Sequence, residues 1–180
     1  MNFRQDINGL RALAVISVTL FHFFPKLLPG GFVGVDIFFV ISGFLMTSII
    51  FNQLGKGDFN LLNFYVARAR RIVPALLVLC IILLVYGWFL LLPIEYKQLS
   101  KHVISSITFL SNFIYFRESG YFGTGSHEKW LLHTWSLSVE WQFYILYPLV
   151  LMALKRFVGL SSIRIVILFS TIFLFIFSVY

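Results

Sequence analysis

Charge is scarce in this chain. Only 12% of its 180 residues are charged, and seven are acidic, against about 25% charged in an ordinary soluble domain. That deficit excludes a solvated globular surface. Cysteine is scarcer still. The single Cys80 excludes an internal disulfide, and its place in an apolar run reads as a small buried hydrophobe. Nothing in the chain resembles a linker, an internal repeat or a low-complexity tract. Nor does any cluster of His, Cys, Asp and Glu have metal-ligand spacing. His127 and His133 read as loop or interface residues, and no metal is expected.

What the chain has instead is hydrocarbon. The hydrophobic fraction is 59%, with 22 phenylalanines, and several apolar runs reach the roughly 17–25 residues needed to cross a bilayer core. This predicts an all-α fold, a polytopic transmembrane helix bundle. Spans are expected near 8–25, 32–54, 73–92, 137–154 and 163–180. The N-terminus is charged and then apolar, like a signal peptide. FHFFPKLLPGG offers no A-x-A cleavage site, so it reads as a retained first span. Pro25, Pro29, Gly30 and Gly31 make the first turn and GKGDFN the second. Pro74 is expected at the start of the third span, an early position that a helix tolerates. The sequence stops at FLFIFSVY, inside a hydrophobic run, so it is expected to be the N-terminal part of a larger membrane domain.

The segment 102–116 (HVISSITFLSNFIYF) is short and carries Ser105, Ser106, Thr108, Ser111 and Asn112. If it does not cross and the N-terminus is cytoplasmic, nine of the 14 basic residues lie inside. The other five (Lys26, Lys97, Lys101, Arg117 and Lys129) lie outside. If it crosses, the split falls to eight against six. The positive-inside rule favours the first arrangement, with 102–116 as a re-entrant or interfacial segment. Non-helical backbone at that depth must be buried in protein or line a wet cavity. The formal net charge of +7 raises nucleic acid as a partner, but the basic residues flank apolar runs. Topology and lipid headgroups account for them, and nucleic acid is not expected.

An ionisable group inside a span costs roughly 2.5–3.5 kcal/mol on insertion scales and marks a function or a pairing. Arg11 and His22 are eleven residues apart, about three helical turns, so they share a face and sit about 16 Å apart along it. Asp36 re-enters at a depth similar to His22 and is its nearest candidate partner. Such a pair would orient the imidazole and raise its basicity. Gly43 and Thr47 share the Asp36 face, where small residues admit a neighbouring helix. Arg68, Arg70 and Arg71 form a basic cluster at the inner side, suited to phosphates as well as to anchoring topology. Ser136, Glu140, Tyr144 and Tyr147 make one polar stripe on an otherwise apolar helix, which must face the bundle interior or a cavity opening outward. Phosphate-suited arginines inside and a His–Asp pair farther out suit transfer from a phosphorylated cytoplasmic donor. They also suit a proton-coupled transporter or channel built on His22, Asp36 and Glu140, although a proton path has no need of the arginine triplet.

DINGLRALAVISVTLFH, GGFVGVDIFFVISGFL, FYVARARRIVP and LLHTWSLSVEWQFYILYP, in this order, closely resemble the acyltransferase-3 family of membrane O-acyltransferases over essentially the whole chain. The resemblance implies transfer of an acetyl group, from acetyl-CoA as donor, to a cell-envelope glycan such as O-antigen lipopolysaccharide, peptidoglycan or exopolysaccharide. It places the protein in a bacterial inner membrane, multi-pass, with a cytoplasmic N-terminus and membrane lipid around it. The family has about ten spans, and some relatives add an extracytoplasmic SGNH hydrolase-like domain. Its arginine–ten residues–histidine motif matches Arg11 and His22, and its R-x-x-R motif matches Arg68 and Arg71. Many relatives carry a second acid after the position of Glu140. Here it is Trp141, which leaves Glu140 as the acidic candidate. On this basis Arg68, Arg70 and Arg71 are expected to hold the CoA phosphates, with the pantetheine arm along the Arg11–His22 stripe. His22 and Asp36 are the expected catalytic pair with Glu140, and His133, Ser136 and Tyr144 the expected acceptor contacts.

Overall fold

The computed structural model describes residues 4–119, 129–159, 162–163 and 165–171. Among them there are helices and turns and no strand. The helices are α1 (Gln5–Phe23), α2 (Gly34–Lys56), α3 (Leu61–Leu90), α4 (Pro93–Ile107), α5 (Ser111–Arg117) and α6 (Thr134–Phe157). A further helical stretch covers 165–171. The last expected span, 163–180, therefore falls largely outside the described residues. The chain forms two compact units, Met1–Gln53 and Leu54–Tyr180.

Three helices are long and apolar enough to cross a membrane: Gly31–Lys56, Leu61–Leu90 and Thr134–Phe157. They correspond to the second, third and fourth expected spans. α1 is not among the three, because Gln5, Asp6, Asn8 and Arg11 occupy its first two turns.

In the first unit, α1 packs against a 3₁₀ turn at Gly31–Val33 and the start of α2. Two glycines make this possible. A Cβ on Gly31 would lie 2.3 Å from the Ser17 carbonyl oxygen and 2.8 Å from Phe21 Cβ. One on Gly34 would lie 2.5 Å from the Ala14 oxygen and 2.7 Å from Val18 Cγ2. Backbone thus rests on backbone across this crossing, and Ala14 is fully buried. That close approach needs hydrogen in place of a side chain.

In the second unit, α3 begins at Leu61, twelve residues before the expected boundary at 73. Asn60 starts it by accepting the Asn63 N–H at 2.9 Å, the usual role of an asparagine at an N-cap. Pro74 consequently sits inside the helix rather than at its start, and Pro148 likewise lies inside α6. α3 turns over at Leu91–Leu92 into α4, which Pro93 opens and Glu95 caps by accepting the Leu92 N–H at 2.9 Å. α4 folds back so closely that a Cβ on Gly87 would meet Leu99 at 2.7 Å. The core here comprises Leu76, Cys80, Leu99, Val103, Phe109 and Leu131. Cys80 is 1% exposed, in keeping with its reading as a packed hydrophobe.

The re-entrant or interfacial segment expected at 102–116 is resolved into two helices. α4 has 15 residues and α5 has seven, too short to cross singly. They break apart at Phe109, whose φ is +55°, a conformation that side chains seldom adopt. α6 holds the break. The Trp141 ring stacks on Phe109 with centroids 4.5 Å apart, and Gln142 Nε2 donates to the Phe109 carbonyl at 2.9 Å. Asn112, one turn on, exchanges amide hydrogen bonds with Gln142 at 3.0 and 3.3 Å.

Candidate functional site

His22 stands in the last turn of α1. Its Nδ1 lies 2.7 Å from the Val18 carbonyl oxygen. A carbonyl only accepts, so Nδ1 carries a proton. The neighbouring Phe21 ring meets the imidazole edge-on at 5.4 Å. Asp36 lies in the first turn of α2, two residues beyond Gly34. The Gly34 crossing on Ala14 and Val18 therefore sets the height of Asp36 against α1. Arg11 is half-buried, three turns before His22 on the same helix. These three residues belong to the first unit, and the remaining candidates belong to the second.

α6 carries two polar stripes. The expected one survives in part: the Tyr144 hydroxyl donates to Glu140 Oε1 in a short hydrogen bond, and Tyr144 is buried. Tyr147 stacks on Phe143, centroids 4.7 Å apart. At the N-terminal end, His133 immediately precedes α6, and its carbonyl accepts from the Ser136 hydroxyl at 3.0 Å. The sequence suggested arginines inside and this stripe opening outward. The structure brings them together. Tyr65, one turn before Arg68 on α3, donates its hydroxyl to the Ile145 carbonyl at 2.9 Å. Arg68 lies within electrostatic reach of Glu140, Tyr144 and Arg71. Its guanidinium sits over the Phe64 ring at 5.7 Å. Its Nε is buried without a hydrogen-bond partner among the described residues. Helical register divides the arginine triplet. Arg68 and Arg71 are three residues apart and share a side, whereas Arg70 is two residues from Arg68, about 200° round the helix; Arg68 is half-buried and both Arg70 and Arg71 are exposed. The group is thus the Arg68 guanidinium within reach of a carboxylate–phenol pair, with Arg71 beside it and the Arg68 Nε open among the described residues.

The second stripe of α6 was not anticipated. Thr134, Ser138 and Gln142 recur every four residues, on the side opposite Glu140, and that spacing was the available signal. They join polar groups of 102–116 that the sequence had marked without assigning partners. Ser106 Oγ and Thr134 Oγ1 are 2.7 Å apart. Thr134 donates to Ser111 Oγ at 3.1 Å, and Ser111 and Ser138 pair at 2.7 Å. All four hydroxyls are buried, so α4, α5 and α6 are fastened by mutually satisfied polar groups.

Next to this network is a second unanticipated cluster. Glu118 bonds Lys101 Nζ at 2.6 Å and His102 Nε2 at 2.9 Å, with Lys129 Nζ at 3.7 Å. Burial disfavours the charged form of Glu118. The hydrogen bonds from Lys101 and His102 outweigh it and hold the carboxyl below its usual range. The Lys129 ammonium also lies over the Tyr115 ring at 5.7 Å. Burial pushes the Tyr115 hydroxyl far up, so it stays protonated. Among the described residues no group of three His, Cys, Asp or Glu is placed to hold a metal ion. His127 lies outside the described residues.

Residues 4–179 match the family model described as an acyltransferase domain. The chain belongs to the acyltransferase family. Its similar members include the peptidoglycan O-acetyltransferase OatA of Listeria monocytogenes, 38% identical over 155 residues, covering 85% of this chain and 25% of that one. The O-acetyltransferase OatA of Staphylococcus aureus (strain NCTC 8325 / PS 47) is 37% identical over 173 residues, covering 94% of this chain and 28% of that protein. The chain therefore spans about a quarter of the length of these curated relatives. No solved structure matches it. For this acyltransferase-family chain the structure gives Trp141 a definite place: the indole packs on the helix break at Phe109.

Proposed function

We propose that the protein is a membrane O-acyltransferase that moves an acetyl group from cytoplasmic acetyl-CoA to a hydroxyl of an envelope glycan. Peptidoglycan is the favoured acceptor, because the Listeria relative is named for it. The observation that carries the reading is Arg68, a half-buried guanidinium whose buried Nε has no partner among the described residues, within electrostatic reach of Arg71 and the Glu140–Tyr144 pair. A buried donor without an acceptor is costly, and an anionic donor substrate would satisfy it. A proton path would place no such demand on an arginine.

In this reading Arg68 and Arg71 hold the phosphates of acetyl-CoA, and Glu140 and Tyr144 fix the Arg68 guanidinium. Arg11 lines the path of the pantetheine arm. His22 supplies the acid–base chemistry through Nε2, since Nδ1 is committed to Val18. As general base, Nε2 takes the proton of a glycan hydroxyl, whose oxygen attacks the thioester carbonyl. The new C–O bond forms, the C–S bond breaks, and the proton passes to the departing CoA thiolate. Acting as carrier, the same nitrogen would take the acetyl group from CoA and yield it to the hydroxyl. Asp36, the acidic residue of the chain's first hairpin, would assist it, and His133 and Ser136 would receive the acceptor.

The test is acetate released by mild base from purified glycan, compared between cells carrying the wild-type gene and cells carrying His22→Ala, at matched protein levels in the membrane. Loss of a general base costs about 10²–10⁴ in rate, so the variant should leave the glycan almost unacetylated. Full acetylation by His22→Ala would remove His22 from the chemistry.

A further inference from the structure

Where α3 turns over into α4 there is a half-open cavity of about 200 Å³, lined by Leu91, Glu95, Gln98, Leu99, His102 and Trp130. Four of these residues fall at i, i+3, i+4 and i+7 of α4. One rigid helix face thus presents a carboxylate, an amide and an imidazole in a row about 10 Å long. One oxygen of Glu95 accepts the Leu92 N–H, which fixes the carboxylate at the cavity's edge. The His102 ring is pinned by Glu118 at 2.9 Å, itself gripped by Lys101. Opposite stands Trp130, 41% exposed and braced against Tyr86 with ring centroids 5.9 Å apart.

The chemistry of this wall excludes most ligands. The Glu95 carboxylate repels an anion, so a CoA phosphate does not fit. One carboxylate and an imidazole already bonded to Glu118 make a poor metal site. An apolar ligand would face the Glu95 carboxylate and cost its hydration. A pyranose ring matches each part. Its C–H face is apolar and flat enough to lie on an indole, and its rim of hydroxyls both donates and accepts towards carboxylate, amide and imidazole. The volume admits one ring rather than a chain. Trp130 lies three residues before His133, so the cavity adjoins the start of α6, where the acceptor contacts are expected.

We propose that this cavity is a sugar-binding subsite that seats one pyranose of the acceptor glycan, with Trp130 as the stacking platform and Glu95, Gln98 and His102 as its hydrogen-bonding wall. The proposal deepens the glycan-acceptor reading and rests on it for the identity of the polymer. Its test is a binding measurement with no acetyl donor present, so it stands apart from the transfer reaction.

The purified chain in detergent micelles is titrated with chitotriose, a soluble β-1,4-linked N-acetylglucosamine trimer, while tryptophan fluorescence is followed. The wild type should show a saturable change. Trp130→Ala and Gln98→Ala should each weaken binding about tenfold or more, and Trp88→Phe should not alter it. Glu95→Gln retains an oxygen for the Leu92 N–H, so it tests the wall with the α4 cap intact should Trp130→Ala fail to fold. No saturable binding to the wild type, or unchanged affinity in the folded wall variants, overturns the subsite. Sugar binding that depends on Trp130 in a protein that transfers no acetyl group would support the subsite and overturn the transferase reading instead.

Discussion

Two side chains concentrate the chemistry at the scale of single residues. Arg68 and Arg70 are neighbours in sequence but lie on different sides of α3, so their loss should have different consequences. Removing a charge-assisted contact costs about 1.5–3 kcal/mol. Arg68→Ala should therefore raise the half-saturating acetyl-CoA concentration about ten- to hundredfold, whereas Arg70→Ala should change it little. Initial rates against donor concentration in membrane vesicles decide this, and equal effects would reassign both residues to topology. Glu118 makes a second residue-level prediction. Its carboxyl is held below the ordinary range in the fold, so the stability it contributes is present above the unfolded value of about 4.3. That stability is lost as pH falls through the lower folded value. Melting temperature should decline below about pH 4.3 in the wild type and show a weaker decline in Glu118→Gln. At neutral pH the variant leaves the buried Lys129 without its counter-charge. It should lose about 2–4 kcal/mol, between the worth of an exposed pair and the cost of breaking a buried one.

Elements in this chain are positioned by a few residues that dispense with side chains or lock a break. Gly34→Ala forces a methyl to within 2.5 Å of the Ala14 carbonyl and must push α1 and α2 apart, costing about 1–3 kcal/mol. Gly43 lies on the same helix with nothing within 4 Å of a built Cβ. Gly43→Ala should be neutral or stabilising by up to about 1 kcal/mol. Thermal melts of the two variants in detergent test the contrast directly. The sequence made part of this level legible: the second, third and fourth spans were visible as apolar runs, but close approach was expected at Gly43 and occurs instead at Gly31 and Gly34. The start of α3 was misread because ARARR is too charged to count as span by hydropathy, yet its arginines are good helix formers and Asn60 caps the turn ahead of them. The break at Phe109 was invisible, since nothing local calls for positive φ there. It exists because Trp141 and Gln142 of a later helix hold it. The meeting of Arg68 with Glu140 was equally hidden. Periodicity tells which residues share a face of one helix, not which faces of two helices meet.

For the whole molecule, the charge distribution predicts a cytoplasmic N-terminus and an outer region between α3 and α6. In a Cys80→Ala background, Asp58→Cys should react with a membrane-impermeant maleimide only from the cytoplasmic side, and Gly125→Cys only from outside. Reaction of both from one side would overturn this topology. The two internal prolines have a consequence at the same scale. Pro74 cannot donate to the Arg70 carbonyl, nor Pro148 to the Tyr144 carbonyl. Each long helix therefore loses one rung of its ladder, and both losses fall beside the arginine–glutamate group. A rod missing a rung bends there first. α3 and α6 are each two stiff levers with a hinge of their own, at Arg70–Pro74 in one and at Tyr144–Pro148 in the other.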